Sequence, residues 1–323
     1  MDRPVIVTGA AGFAGSHLLD RLVQRMPAGQ PLVAWRRPGG TAPRVVSPRV
    51  AWQAVDALDA DAVDAAIAAA APATMYHFAG SPHVASSWSD TLVPLQSNVL
   101  ATHYVLLSLE RHAPDARLLV PSSALVYRPH GQALREDAPV APRTPYGISK
   151  LAQEMLARRA ESDRRIQALI ARPFNHIGPR QEASFVASAF ARQIADAEAG
   201  LVEPVIRVGN LDARRDLTDV RDTVRAYELI AERGVPGRVY NVCSGQAYRI
   251  GDLLERLVSL ARVRVEVRPD PGRLRPSDTP VLLGDPSRIA AELGWRAEIP
   301  IQETLADLLS HWRMQVAAGR SPA

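Results

Sequence analysis

The chain has 323 residues, 47% hydrophobic and 22% charged, which suits one large core with a smaller lobe and argues against disorder. A formal net charge of +4 gives no argument for nucleic acid, though it allows a locally basic pocket for an anionic ligand. The single cysteine, Cys243, excludes a disulfide framework and any zinc site built on two or more cysteines. No run of about 18 apolar residues suggests a membrane span.

Val5-Ile6-Val7 reads as a strand and Ser16–Arg25 as a helix. Between them runs Thr8-Gly9-Ala10-Ala11-Gly12-Phe13-Ala14-Gly15, with the spacing G-x-x-G-x-x-G. Gly9 permits a tight turn, Gly12 lets a pyrophosphate approach the backbone, and Gly15 lets helix and strand pack closely. The amides that open the helix then face the anion. A glycine triplet alone is weak, and an ordinary turn would look the same. The strand–loop–helix setting makes it a dinucleotide loop. Nothing in Met1 to Thr8 looks like a secretory signal, so a cytoplasmic enzyme is expected.

The second strand, Pro31 to Trp35, is followed by Arg36-Arg37. A carboxylate there would select NAD by its ribose 2′-hydroxyl, whereas two guanidiniums suit a 2′-phosphate. NADPH is therefore expected over NADH, against the plainer alternative of two solvated surface arginines. Asp56, after the apolar run Val50-Ala51-Trp52, is a candidate partner for the adenine amino group, or else a cap. Asp59 is the better N-cap for the Ala-rich helix Asp59–Ala70.

Further strands are expected at Thr74–Phe78, Leu118–Val120 and Gln167–Ala171, with helices at Ser97–Arg111 and Tyr146–Arg159. Short buried strands alternating with helices mean an α/β fold, a doubly wound parallel sheet of Rossmann type. Ser122-Ser123 falls at a strand's carboxyl end, where such folds build sites. Tyr146 and Lys150 are four apart, hence on one helix face, with Pro145 at the helix start. A nearby ammonium lowers a phenol's pKa from about 10 and makes it an acid–base catalyst.

Beyond Pro173 the pattern is less regular. Helices are expected at Phe185–Ala199, Val220–Glu232, Ile250–Ala261 and Ile301–Val316, and a strand at Val239–Asn241. Residues 1–172 read as the nucleotide-binding domain, also receiving roughly 210–245. Residues 173–323 read mainly as a smaller C-terminal α/β substrate lobe. His77, His83 and His176 match no zinc spacing and read as core or cofactor-side groups, and Cys243 as a buried thiol.

The glycine loop, Ser-Ser-Ala-Leu-Val-Tyr at 122–127 and Tyr146/Lys150, in that order, resemble the extended short-chain dehydrogenase/reductase family of nucleotide-sugar enzymes over essentially the whole chain. The resemblance implies Ser123, Tyr146 and Lys150 as the catalytic set. It implies Phe78-Ala79-Gly80 against the cofactor, along with Phe13, Ala14, Ala57 and Pro173, and Ser81 and Ser87 on the sugar side. Arg172-Pro173-Phe174-Asn175-His176-Ile177-Gly178-Pro179, Phe185-Val186, Gly209 to Asp216 and Arg275-Pro276-Ser277-Asp278, followed by Leu283-Gly284-Asp285, look like the GDP-mannose branch. That implies Asn175, Arg215 and Arg275 at the diphosphate and Phe185-Val186 at guanine.

Dehydratases of that branch carry an acidic residue between the Ser/Thr and the Tyr, whereas this chain has Ala124, Leu125 and Val126. The pattern is more similar to the reductases of GDP-4-keto-6-deoxymannose and implies GDP-D-rhamnose as the product, or GDP-6-deoxytalose if the hydride reaches the other face of C4. Arg180 departs from it, standing where the reductases carry Gly. A GDP-mannose 4,6-dehydratase, a C4 epimerase or a non-catalytic NADP-binding protein are the alternatives. The family also implies a homodimer through helices Ser97–Arg111 and Tyr146–Arg159, with Leu106, Leu107, Leu151 and Met155 at the seam.

Overall fold

The computed structural model describes residues 3–41, 43–128, 131–163, 166–273 and 279–319. Arg275 and the rest of Arg-Pro-Ser-Asp lie outside them.

Seven parallel strands form the main sheet, in the order β10-β6-β5-β4-β1-β2-β3. These are β1 Val5–Thr8, β2 Leu32–Arg36, β3 Val50–Ala54, β4 Thr74–His77, β5 Arg117–Pro121, β6 Gln167–Pro173 and β10 Val239–Val242. β1 is buried throughout and pairs with β2 on one side and β4 on the other. A strand covered on both faces needs apolar residues at every position, which is why Val-Ile-Val carries no alternation. Chain order reverses at the β1/β4 boundary, so the crevice beyond their carboxyl ends is where a ligand fits.

One face packs Val5, Val7 and Leu119 under α1 (Phe13–Arg25) and the helix Val220–Arg233. The other packs Ile6, Trp35, Met75 and Leu118 under α2 (Ala60–Ala70) and the helices Leu92–His112 and Pro145–Ser162. Asp59 caps α2, its Oδ1 accepting from Ala62 N at 3.0 Å. The helix Leu92–His112 starts before the expected Ser97, because Pro94 occupies the first turn, where an amide has no helical partner anyway. Leu95–Leu100 is a π-helical turn within it. This helix is long and apolar enough to cross a membrane, yet 44% of its most apolar window is buried inside the protein. Leu106 is part of the core beneath it, not of a surface seam.

A second core holds Phe190, Ile194, Ile206, Leu254, Leu308 and Trp312. It lies among the helices Val186–Glu198, Ile250–Ser259 and Ile301–Ala317. Its strands were not legible beforehand: β7 Asn175–Ile177, β8 Val205–Val208, β9 Arg214–Asp219, β11 Ala247–Arg249, β12 Glu266–Pro269 and β13 Val281–Leu282. They are two to six residues long and pair in small sheets, so they carry too few residues for a periodic signal. A short helix, Ser287–Leu293, was also missed.

Asp216 of β9 joins three segments of this half. Its carboxylate accepts from Ser244 N (2.7 Å), Ser244 Oγ (2.8 Å), Gly245 N (3.0 Å) and Gly284 N (3.2 Å). Cys243, next to it, is buried and unpaired, as expected of a structural thiol. Asp216→Ala strands the buried amide of Gly284, at about 1–3 kcal/mol, and frees the less buried amides of Ser244 and Gly245 to meet water. The urea midpoint should fall by the equivalent of about 1–3 kcal/mol, and a variant as stable as the parent would refute this assignment.

Candidate active site

The carboxyl ends of the strands open into a cavity of about 760 Å³. Gly9 to Gly15 follow β1, Arg36 and Arg37 follow β2, Phe78-Ala79-Gly80 follow β4, Ser123 to Leu125 follow β5, and Pro173 to Ile177 end or follow β6. The wall is thus assembled from five separate strand ends.

The glycine loop fits a dinucleotide's pyrophosphate. Gly9 has φ +61°, and a Cβ there would lie 2.6 Å from the Phe78 carbonyl. A Cβ on Gly15 would lie 2.4 Å from Gly9 O, so loop and helix meet backbone to backbone. Gly12 is the N-cap of α1 and supplies no side-chain cap. Ser16 N is the first amide to close onto the helix, at Gly12 O (3.0 Å), leaving those of Phe13, Ala14 and Gly15 at the cavity wall. Arg36 and Arg37 line the same cavity, and neither forms an ion pair among the described residues. These features suit an anionic dinucleotide with a further phosphate.

Tyr146 reaches the cavity from the first turn of the helix Pro145–Ser162. Thr144 caps that turn, its Oγ1 accepting from Gly147 N at 2.9 Å. Tyr146 N donates to Ser87 Oγ at 3.3 Å. Burial pushes the Tyr146 phenol up to about 12, against a hydrogen bond with the Ser123 side chain that pulls it down. The expected lowering by Lys150 is not found. The Lys150 Nζ instead donates to Gln153 Oε1, and the ammonium is not among the groups acting on the phenol. Burial pushes Lys150 itself down to about 7, against the raising charge of Glu154.

Asn175, Phe185, Val186 and Arg215 share the cavity wall with Ser123 and Tyr146. Five expected positions do not. Asp56 Oδ1 accepts from Leu58 N at 3.0 Å in a turn, and Asp56 and its neighbour Ala57 lie off the wall. Ser81 is held through its backbone, its amide donating to Asn98 Oδ1 at 2.9 Å. Ser87 is buried under the helix start, its hydroxyl donating to Val84 O at 2.6 Å. It supports Tyr146 rather than a sugar. Lys150 is also off the wall, one helical turn behind Tyr146.

His176 lines the cavity, its ring stacked on Phe13 (centroids 5.6 Å apart, 7° between planes), and His83 lines it beside Phe185. His77 is buried in the core. No three His, Cys, Asp or Glu side chains cluster as a metal site among the described residues. Sequence reasoning missed Leu217, Leu253 and Leu282, an apolar stretch of the wall drawn from three remote segments. It also missed a plain signal: of 38 Lys and Arg residues, Lys150 is the only lysine. Arg180, at the departing position, has φ +73°, in the left-handed region that favours glycine.

Residues 6–308 match the family model described as GDP-mannose 4,6 dehydratase. A GDP-6-deoxy-D-mannose reductase of Pseudomonas aeruginosa is 35% identical, covering 98% of this chain and 99% of its own. A UDP-glucose 4-epimerase of Bacillus subtilis is 27% identical, covering 96% of each. Among solved structures, that of RMD from Pseudomonas aeruginosa complexed with NADPH superposes with a TM-score of 0.85 at 33% identity, covering 97% of this chain and 100% of that one.

Proposed function

The chain belongs to the GDP-mannose 4,6 dehydratase family, and from that premise we propose that it is the NADPH-dependent reductase of the C4 ketone of GDP-4-keto-6-deoxy-D-mannose, forming GDP-D-rhamnose. The observation that carries this is the wall between Ser123 and Tyr146. Ala124 and Leu125 there are apolar, and the proton source is a phenol held in its acid form. Dehydration needs a carboxyl group for the C5 proton and the C6 hydroxyl. Among the described residues the one carboxylate on the wall, Glu182, faces His83 Nε2 at 3.6 Å. Reduction needs one proton, and a phenol at about 12 keeps its proton at neutral pH.

When bound, NADPH supplies the hydride. The amides of the glycine loop hold its pyrophosphate, with Gly9, Gly12, Phe13, Ala14 and Gly15 as the cradle. Arg36 and Arg37 grip the 2′-phosphate, and Lys150 holds the nicotinamide ribose. Ser123 hydrogen-bonds the ketone oxygen, and Tyr146 gives that oxygen its proton. Asn175, Phe185, Val186 and Arg215, with Arg275 by resemblance, hold the GDP moiety in a lobe built mainly from 173–323. Residues 1–172 form the nucleotide-binding domain, and part of 210–245 returns to it. The enzyme works in the cytoplasm.

Incubation with GDP-4-keto-6-deoxymannose should consume NADPH, and GDP-mannose with NADP⁺ should yield no keto sugar. The reverse pattern would make the chain a dehydratase. Tyr146→Phe should lower kcat by about 10²- to 10⁴-fold with little change in KM. Replacing Arg36 and Arg37 together by Ala should raise KM for NADPH by at least about 10- to 100-fold and leave NADH unaffected. Equal effects on both cofactors would remove the arginines from the 2′-phosphate.

The protein pairs with a second copy of itself. Leu92, Val93 and Leu95 on one helix and Ile148 and Met155 on its packed neighbour are exposed, Met155 by 62%. The expected Leu107 and Leu151 are only half-buried there, and Leu106 is not part of this face. Four helices from two copies would cover it. Sedimentation should give twice 35.0 kDa for the parent. The double variant Leu95→Glu, Met155→Glu should run as a monomer, and a parent sedimenting as a monomer would discard the seam.

A further inference from the structure

Behind Lys150 runs a ladder of buried polar groups. Gln153 Oε1 accepts from Lys150 Nζ, and Gln153 Nε2 donates to Thr102 Oγ1 at 2.7 Å. Thr102 Oγ1 donates its single hydrogen to Asn98 O at 2.6 Å. Its contact with His77 Nε2, at 3.1 Å, must therefore be donated by the imidazole. Burial, aided by the Lys150 charge, pushes His77 down to about 3, so the ring is neutral and Nδ1 is an acceptor. Thr8 Oγ1 then donates to Nδ1 at 3.0 Å and accepts from Ala79 N at 3.0 Å. Each group along the ladder has one compatible role. Thr8, His77, Thr102 and Gln153 are all at most 1% exposed.

We propose that Gln153 is the positioning residue for Lys150: its side-chain oxygen, aimed by the ladder of Thr102, His77 and Thr8, fixes the ammonium with a neutral acceptor where a carboxylate would also fit. One ammonium N–H is committed to Gln153, which leaves two for the hydroxyls of a ligand. The ladder ends at Thr8 and Ala79, against the glycine loop, so it holds the lysine in register with the loop. A neutral acceptor also leaves the lysine charge only partly compensated. The ionisable groups facing it are Glu154 on its own helix, already paired with Arg172 of β6, neutral His77 of β4, and Tyr146 one turn away. A carboxylate at 153 would therefore be the dominant change in its field.

The catalytic meaning of this rests on the reading of Lys150 given above, whereas the geometry and charge of Lys150 do not. Because Lys150 is the only lysine, protein labelled with ¹³C,¹⁵N-lysine gives one side-chain signal that can be titrated directly. The parent midpoint should lie near 7. The near-isosteric Gln153→Glu should raise it by about one unit or more, and Gln153→Met, which lacks the acceptor, should lower it. The pH at which kcat/KM falls on the alkaline side should move in the same direction. Midpoints unchanged in both variants would overturn the proposal. Midpoints that move in a protein that does not reduce the ketone would uphold Gln153 and overturn the functional reading instead.

Discussion

A buried ion pair ties the helix that carries Tyr146 and Lys150 to the sheet. Glu154 meets Arg172 of β6 with two parallel hydrogen bonds, Nη2 to Oε1 at 2.6 Å and Nε to Oε2 at 2.9 Å, and Ser122 Oγ donates to the same carboxylate at 2.8 Å. Arg172 lies over the Tyr127 ring at 4.6 Å, and Tyr127 donates to Asn241 of β10 at 2.6 Å. One cluster thus holds the helix, the end of β5, β6 and the edge strand β10. Breaking such a pair costs about 3–5 kcal/mol, because the remaining charge is left buried and uncompensated. Glu154 is four residues after Lys150 and eight after Tyr146, so the placement of both side chains follows from this anchor.

The electrostatics of the site follow from burial. The same loss of water pushes the phenol of Tyr146 up and the ammonium of Lys150 down. Near neutrality the tyrosine keeps its proton while the lysine is close to losing one. That state suits donation of a proton to a ketone better than abstraction from an alcohol. It agrees with the apolar Ala124 and Leu125 beside Ser123, since both features favour the reductive direction over dehydration. Arg180 illustrates a different economy: the chain keeps a left-handed backbone there without glycine, and its guanidinium Nη2 is tied to Asp20 Oδ2 of α1 at 2.6 Å.

Much of the nucleotide half was legible in the chain because its signals are local. A buried parallel strand is an uninterrupted apolar run, as in Val5-Ile6-Val7. The glycine spacing, the arginine pair after β2, the Asp59 cap and the Tyr146/Lys150 pair each lie within a few residues. The local partners of Ser87 and Asp56 were not legible for the complementary reason. A hydroxyl or carboxylate near a strand end can serve a ligand, a turn or a neighbouring helix, and only its surroundings decide which. The short strands β7 to β9 and β11 to β13 form through partners far away in sequence, so no window contains their cause.

The sequence by itself determined the parallel sheet, the glycine loop and the placing of Tyr146 and Lys150 one turn apart on a helix, because periodicity and spacing encode each within a single element. Tertiary structure alone decided the protonation of those groups and the partner of the lysine. A pKa depends on burial by residues from all over the chain, and the ladder behind Lys150 joins Thr8, His77, Thr102 and Gln153 from four separate elements.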